Sequence, residues 1–349
     1  MQAPATEVRP ESGYRYAGYM MLALVAFGAA LYVFDPANVA GVQNFFLVFG
    51  SLLIEAIPFI LLGALVSAAI EVFVPVTVFE KLALLPKPLQ LPAAGLAGAA
   101  FPVCECGSVP VARRLIVKGL VPSAAVTFML AAPVLNPIVI ASTAVAYRGR
   151  EVFWPMVLGR VGLGFLVAVA VGYVISDESK EQLLKKRTGR AKNLDHDHEP
   201  ARTHAAPASP GRLLSGARFR EFFGHLSNDF VFMGRFLVIG AMVAAALQTF
   251  VPQSIIGGVA ETPVINILAM MGLAFLLSLC SESDAFVAAS FVQFGVGGQL
   301  AFLVFGPMVD TKLGILYGAT FRQGFFRTVV VVVTACTLVG CLWLEVLFG

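Results

Sequence analysis

The residues best suited to chemistry lie in two short stretches. One reads Phe101-Pro102-Val103-Cys104-Glu105-Cys106-Gly107-Ser108-Val109-Pro110, and the other Leu279-Cys280-Ser281-Glu282-Ser283-Asp284. Each sets thiols, carboxylates and hydroxyls inside an otherwise apolar run. Thiolates take soft partners such as Cu(I), Zn(II) or trivalent arsenic, so Cys104, Cys106 and Cys280 form a candidate ligand set for a metal. Glu105, Glu282 and Asp284 are groups that can carry protons, and Ser108 and Ser283 can hydrogen-bond a substrate. Plainer readings exist for each. Cysteines serve as small packing residues, and Ser283 or Asp284 can cap a following helix. A capped N-terminus also presents a positive dipole end to an anion, so these readings coexist.

A second constellation pairs Ala132-Pro133-Val134-Leu135-Asn136-Pro137 with Gly306-Pro307-Met308-Val309-Asp310-Thr311-Lys312. Both are proline-bearing breaks that end in polar side chains. At membrane depth Asp310 and Lys312 would form an ion pair or a proton relay, with Asn136 as a neutral hydrogen-bonding counterpart. Glu55, just before Ile57-Pro58, is either another proton carrier or a solvated charge. The proton-coupling candidates are therefore Glu55, Glu105, Glu282 and Asp310. Arg113, Arg114 and Lys118 read as an interfacial anchor or as attraction for an anion, and Arg160 and Arg322 as isolated cations, either of which could balance a carboxylate.

The chain that must position these groups is 58% hydrophobic and 13% charged, with a mean hydropathy of +0.84. Soluble domains carry about 25% charged residues. A chain this apolar needs lipid to cover its surface, so the lipid bilayer is its first partner. The net charge is only +3, and no basic stripe interleaved with aromatics appears, which gives nucleic-acid binding no support. No phosphate-binding loop, nucleophile elbow or dinucleotide fingerprint is present. The sequence thus predicts no enzyme and no cofactor, and a small molecule or ion as the substrate. The remaining cysteines, Cys336 and Cys341, sit in an apolar run and read as packing residues.

A helical span needs about 20 mostly apolar residues. Candidate spans lie at 17–34, 44–74, 91–103, 120–147, 152–175, 230–251, 264–280, 300–321 and 325–348, with shorter segments at 107–118 and 283–294. This predicts an all-α integral membrane protein with about 8–11 transmembrane helices, some broken or re-entrant. The segment 44–74 is too long for one straight span, and Pro58 is expected to kink it or mark a turn. The polar stretch 177–222 is rich in Lys and Arg and holds His196, His198 and His204. It reads as a disordered linker that the positive-inside rule places in the cytoplasm.

The two sides of that linker resemble each other. Gly63-Ala64-Leu65-Val66-Ser67-Ala68-Ala69 through Val74-Pro75 recurs as Gly240-Ala241-Met242-Val243-Ala244-Ala245-Ala246 through Val251-Pro252, an offset of 177 (240 − 63). Cys104 then pairs with Cys280, Gly119 with Gly295, Pro133 with Pro307 and Asn136 with Asp310. The expected organisation is a tail and first span (1–40), repeat 1 (41–176), the linker (177–222) and repeat 2 (223–349). Five crossings per repeat would make the halves inverted and four would make them parallel. Such duplication is a common plan of secondary transporters, whose sites form at helix breaks.

At 101–110, 131–137 and 279–286 the sequence resembles the arsenical-permease-like (ArsP-like, DUF318) predicted permeases. The resemblance covers about residues 44–345. It implies a bacterial inner-membrane permease, some of whose relatives are linked to efflux of trivalent organoarsenicals and others to divalent metal export. It also points to Cys104 and Cys106, with Cys280, for a thiophilic substrate. The expected activity is export of a small thiophilic or anionic solute. A channel-like facilitator and a membrane-embedded thiol relay are the rivals, and a homo-oligomer is left open.

Overall fold

The computed structural model describes residues 40–73, 86–99, 103–176, 183–185, 216–250 and 263–348. The expected first span, Phe101, Pro102 and the linker histidines lie outside the described residues. Met1–Leu47 and Val48–Gly349 separate as two units, and every residue of the site described below lies in the second.

The described residues form α1 (Ala40–Phe73), α2 (Lys87–Gly98), α3 (Glu105–Val117), α4 (Pro122–Leu135), α5 (Pro137–Ala146) and α6 (Phe153–Val174). After the linker come α7 (Gly216–Phe250), α8 (Pro263–Leu277), α9 (Asp284–Ser290), α10 (Val296–Phe305), α11 (Thr311–Thr320) and α12 (Gln323–Phe348). Among the described residues, five helical stretches are long and apolar enough to cross a membrane: 41–72, 122–146, 153–174, 222–249 and 324–347. This is an all-α integral membrane protein that crosses the bilayer several times. α1 continues through Pro58 as one helix of 34 residues, about 51 Å at 1.5 Å per residue. α7 begins at Gly216, inside the stretch that reads as linker.

Burial sets three helices apart from the long ones. The long ones display large apolar side chains outward: Ile54 on α1, Leu166 on α6, Val231 on α7 and Val339 on α12 are exposed. Lipid is the only solvent in which such faces are at home. Three of the shorter ones, α3, α4 and α10, are enclosed. Every residue of α3 from Glu105 to Ile116 is buried, as is nearly all of α4 and α10. α3 packs on α11, and α9 packs on α5.

The breaks follow from local chemistry. Pro137 disfavours a helical conformation at the residue before it, and Asn136 (φ −55°, ψ 127°) ends α4 while its Oδ1 caps α5 by accepting the Ile138 amide at 3.0 Å. The span expected at 120–147 is therefore two helices. The span expected at 300–321 divides likewise: α10 ends at the Gly306-Pro307 break, and Asp310 caps α11 by accepting the Leu313 amide at 2.6 Å. α3 closes at Gly119, whose φ of +102° suits glycine. Its amide bonds Ile116 O while the Leu120 amide bonds Leu115 O, the paired pattern of a left-handed helix stop. α8 ends without a glycine. Ser278 takes φ 46° there, and its hydroxyl accepts the Thr311 amide at 3.1 Å, tying the end of α8 to the start of α11.

Candidate functional site

The start of α3, the start of α11 and the loop 278–283 that leads into α9 meet in one buried cluster. Cys104 is the extended residue before α3; its carbonyl accepts the Gly107 and Ser108 amides while its thiol makes no cap. That thiol is free to face other groups, and it lies within 4.8 Å of the Cys280 thiol. Ligand atoms of Cys104, Glu105 and Cys280 all fall within 4.8 Å of one another, and all three residues are buried. Glu282 receives the Cys280 thiol at 2.6 Å.

Glu105 is the hub. Its Oε2 accepts the Ser281 hydroxyl at 3.0 Å, and its Oε1 lies 3.6 Å from Lys312 Nζ. The same ammonium lies 3.7 Å from Asp310 Oδ2. Ser281 also reaches Glu282 Oε2 at 3.4 Å. Glu55, halfway along α1, accepts the Ser283 hydroxyl at 2.8 Å, so α1 contributes to the cluster as well.

A second ion pair borders it. Arg160, fully buried on α6, grips Asp284 with both ends of its guanidinium, at 2.8 and 2.7 Å. It also donates to Thr143 Oγ1 at 2.9 Å and to the Ser281 carbonyl at 3.1 Å. The carboxylates of the region (Glu55, Glu105, Glu282, Asp284 and Asp310) outnumber its cations, Arg160 and Lys312. A buried carboxylate in a membrane is costly unless paired or used.

The structure thus brings together Glu55, Cys104, Glu105, Cys106, Cys280, Glu282, Ser283, Asp284, Asp310 and Lys312. Two candidates have local duties instead. The Ser108 hydroxyl donates to the Glu105 carbonyl at 3.0 Å, a bond within α3. Asn136 Oδ1 caps α5, and its Nδ2 is buried without a hydrogen-bond partner. The capping role expected for Ser283 and Asp284 is corrected: α9 has no side-chain cap, because one side chain goes to Glu55 and the other to Arg160.

The basic face expected at Arg113, Arg114 and Lys118 is also corrected. Arg114 is buried and neutralised by Asp229, whose Oδ2 is 3.3 Å from Nε, with Glu71 Oε2 at 3.6 Å and His225 Nδ1 at 3.2 Å. Ser67 completes the group by donating to Asp229 at 2.9 Å. Arg113 donates to the Lys185 carbonyl at 3.2 Å. Arg160 balances a carboxylate as expected, and Arg322 lies at an exposed position. Sequence reasoning missed Ser281, Thr143, His225 and Asp229. His225 and Asp229, four residues apart on α7, were the available signal, because that spacing puts both on one helix face.

A buried knot of thiols and charges at helix breaks, inside a multi-pass helical membrane protein, is the layout of a solute carrier. Over residues 41–345 the sequence matches the family ArsP_1, described as predicted permease, and the chain belongs to that family. It is 39% identical over 297 residues to the UPF0718 protein YcgR of Bacillus subtilis, covering 84% of this chain and 95% of that one. It is 33% identical over 302 residues to a putative two-component membrane permease complex subunit of Streptococcus mutans, covering 84% and 94%. No solved structure matches. The protein is a membrane permease.

Proposed function

We propose that this permease exports a thiophilic cation, bound by the thiols of Cys104 and Cys280 and the carboxylates of Glu105 and Glu282. The convergence of Cys104, Glu105 and Cys280 atoms within 4.8 Å carries this reading. Thiolates with a carboxylate form a ligand set for Zn(II) or a softer ion. The excess of carboxylates over Arg160 and Lys312 favours a cation over the anionic solute that the sequence alone left open. Glu55, Glu105, Glu282 and Asp310 are the groups we assign to proton exchange against the cargo.

A second reading is supported by the approach of the Cys104 and Cys280 thiols to within 4.8 Å: a trivalent organoarsenical, held by thiols without help from carboxylates. Proteoliposomes offered Zn(II), Cu(I) and methylarsenite separate the two. Cation transport that falls at least about tenfold in Glu105→Gln, beyond the loss of a structural hydrogen bond, supports the first. Transport of methylarsenite alone, insensitive to Glu105→Gln, overturns it. Cys104→Ser and Cys280→Ser abolish transport under either reading. Flux that ignores an imposed pH gradient removes the proton exchange.

We also propose that α1–α6 and α7–α12 are duplicated halves joined by a cytoplasmic linker, in the inner membrane of a bacterium. The shared order of the described helices supports this: long helix, shorter helix, short helix, split helix, long helix. So does the reciprocal packing of α3 on α11 and α9 on α5. The name of the Streptococcus mutans relative makes a second membrane subunit the first assembly to test, ahead of a homo-oligomer.

A further inference from the structure

We propose that Lys312 is a tethered counter-cation, which occupies Glu105 in place of the cargo while the carrier is empty and retires to Asp310 when the cargo arrives. The proposal rests on the cation reading above and adds the step by which the empty carrier returns.

The distances are those of an unfinished pair. Lys312 Nζ stands 3.6 Å from Glu105 Oε1 and 3.7 Å from Asp310 Oδ2. A bonded ammonium–carboxylate contact closes to about 2.7–2.9 Å. Both oxygens are buried, and neither has a hydrogen-bond partner. The other oxygen of each carboxylate is committed to the scaffold: Glu105 Oε2 to Ser281, and Asp310 Oδ1 to the Leu313 amide. Each acid therefore holds its place with one oxygen and turns an unsatisfied one toward the same ammonium. The fold can seat a tight pair, as Arg160 and Asp284 demonstrate at 2.7 Å. The looseness at Lys312 belongs to this position.

The backbone under Lys312 is fixed while its head is not. α7 presses on it at Gly240, where an added Cβ would come within 3.0 Å of Lys312 Cα. The four-carbon stem of lysine lets the ammonium shift by about 1 Å from such an anchor. Glu105 is also a member of the trio that would hold the cargo. Cargo and ammonium are like charges competing for one carboxylate, so only one can hold it at a time.

Three consequences follow. In the empty state the ammonium neutralises the buried acids, and the carrier can change conformation without exposing uncompensated charge to the membrane interior. In the loaded state the cargo takes over that role. Without the ammonium, the loaded carrier still moves but the empty one stalls, so exchange survives and net transport does not.

The test uses the full chain in proteoliposomes with Zn(II) as the probe. Net uptake into zinc-free lumens is compared with exchange of isotopic zinc into lumens preloaded with unlabelled zinc. For Lys312→Met we expect exchange to stay within about threefold of wild type while net uptake falls about tenfold or more, a shift in population of the mobile empty state. The double variant D310N/K312M, which removes the stranded charge and keeps an oxygen for the Leu313 amide, is expected to behave the same way. Binding is read separately in detergent from the thiolate absorption of bound Cd(II). Loss of the competing ammonium should tighten binding about tenfold in Lys312→Met, in the range of coupling between mutually exclusive ligands. An unchanged ratio of net uptake to exchange overturns the proposal. So does loss of both fluxes together, cadmium binding that is equal or weaker, or a double variant with wild-type net uptake. If the wild-type protein neither moves zinc nor binds cadmium, the cation reading itself falls.

Discussion

Two buried ion groups lie side by side in this permease and are built to opposite specifications. Arg160 and Asp284 meet in a two-pronged contact at 2.8 and 2.7 Å, and the guanidinium is further held by Thr143 and the Ser281 carbonyl. Lys312 floats between Glu105 and Asp310 at 3.6 and 3.7 Å and leaves an oxygen of each without a hydrogen bond. Residue chemistry accounts for the contrast. Arginine's rigid planar fork matches a carboxylate and is hard to dislodge, whereas lysine is a point charge on a flexible stem. The first group reads as a fastening between α6 and the loop before α9. The second reads as a contact meant to be exchanged.

The largest test of that contrast is Arg160→Met. It leaves Asp284 buried without its partner, which costs about 3–5 kcal/mol when a buried pair is broken. Thermal unfolding in detergent should show a steep loss of stability, and a melting curve like wild type would remove the distinction. Lys312 variants should alter fluxes far more than melting.

A smaller effect is expected at the α1–α3 contact. A Cβ on Gly63 would sit 2.4 Å from Gly107 Cα, backbone against helix with no flexible atom to give way. Gly63→Ala should cost about 1–3 kcal/mol, in the range of an overpacked interior, and the same melting experiment checks it. If it melts unchanged, α1 is not wedged against α3, and the cluster is less rigidly framed than the fastening implies.

Arg114→Met sharpens the comparison from another side. Its contacts with Asp229 at 3.3 and 3.4 Å are intermediate between the two groups, so its destabilisation should fall below that of Arg160→Met. An equal or larger loss would mean that distance does not rank these pairs. The smallest effect belongs to Ser283→Ala, which removes one hydroxyl from Glu55. Side-chain hydrogen bonds inside membrane proteins average about 0.6 kcal/mol, so its melting point should barely move, while the carboxylate of Glu55 gains freedom that a flux assay can register.

Much of the site was legible because a membrane makes polar residues conspicuous. Cys104, Glu105, Cys280, Glu282, Asp310 and Lys312 stand out in runs where each charge is costly, and the prolines at 137 and 307 mark the breaks. The helices at 105–117 and 284–290, expected only as short segments, formed where amphipathic pattern and flanking breaks bounded them. The partnerships were less legible. Nothing near Ser283 in sequence indicates that its hydroxyl turns to Glu55, 228 residues away, and not to its own helix. The basic cluster at 113–118 resembled an exposed anchor because its acids, Glu71 and Asp229, come from distant helices.

The sequence by itself determined that this chain lives in lipid, that it is helical, that Pro137 and Pro307 interrupt helices, and which side chains are too costly to be idle. Those properties follow from local composition and from the backbone limits of proline and glycine. Only the tertiary structure decided that Arg160 clasps Asp284 while Lys312 is shared, and that Cys104, Glu105 and Cys280 face one another. Ion pairing depends on distances of a few ångströms between residues far apart in the chain, and packing of the whole bundle sets those distances.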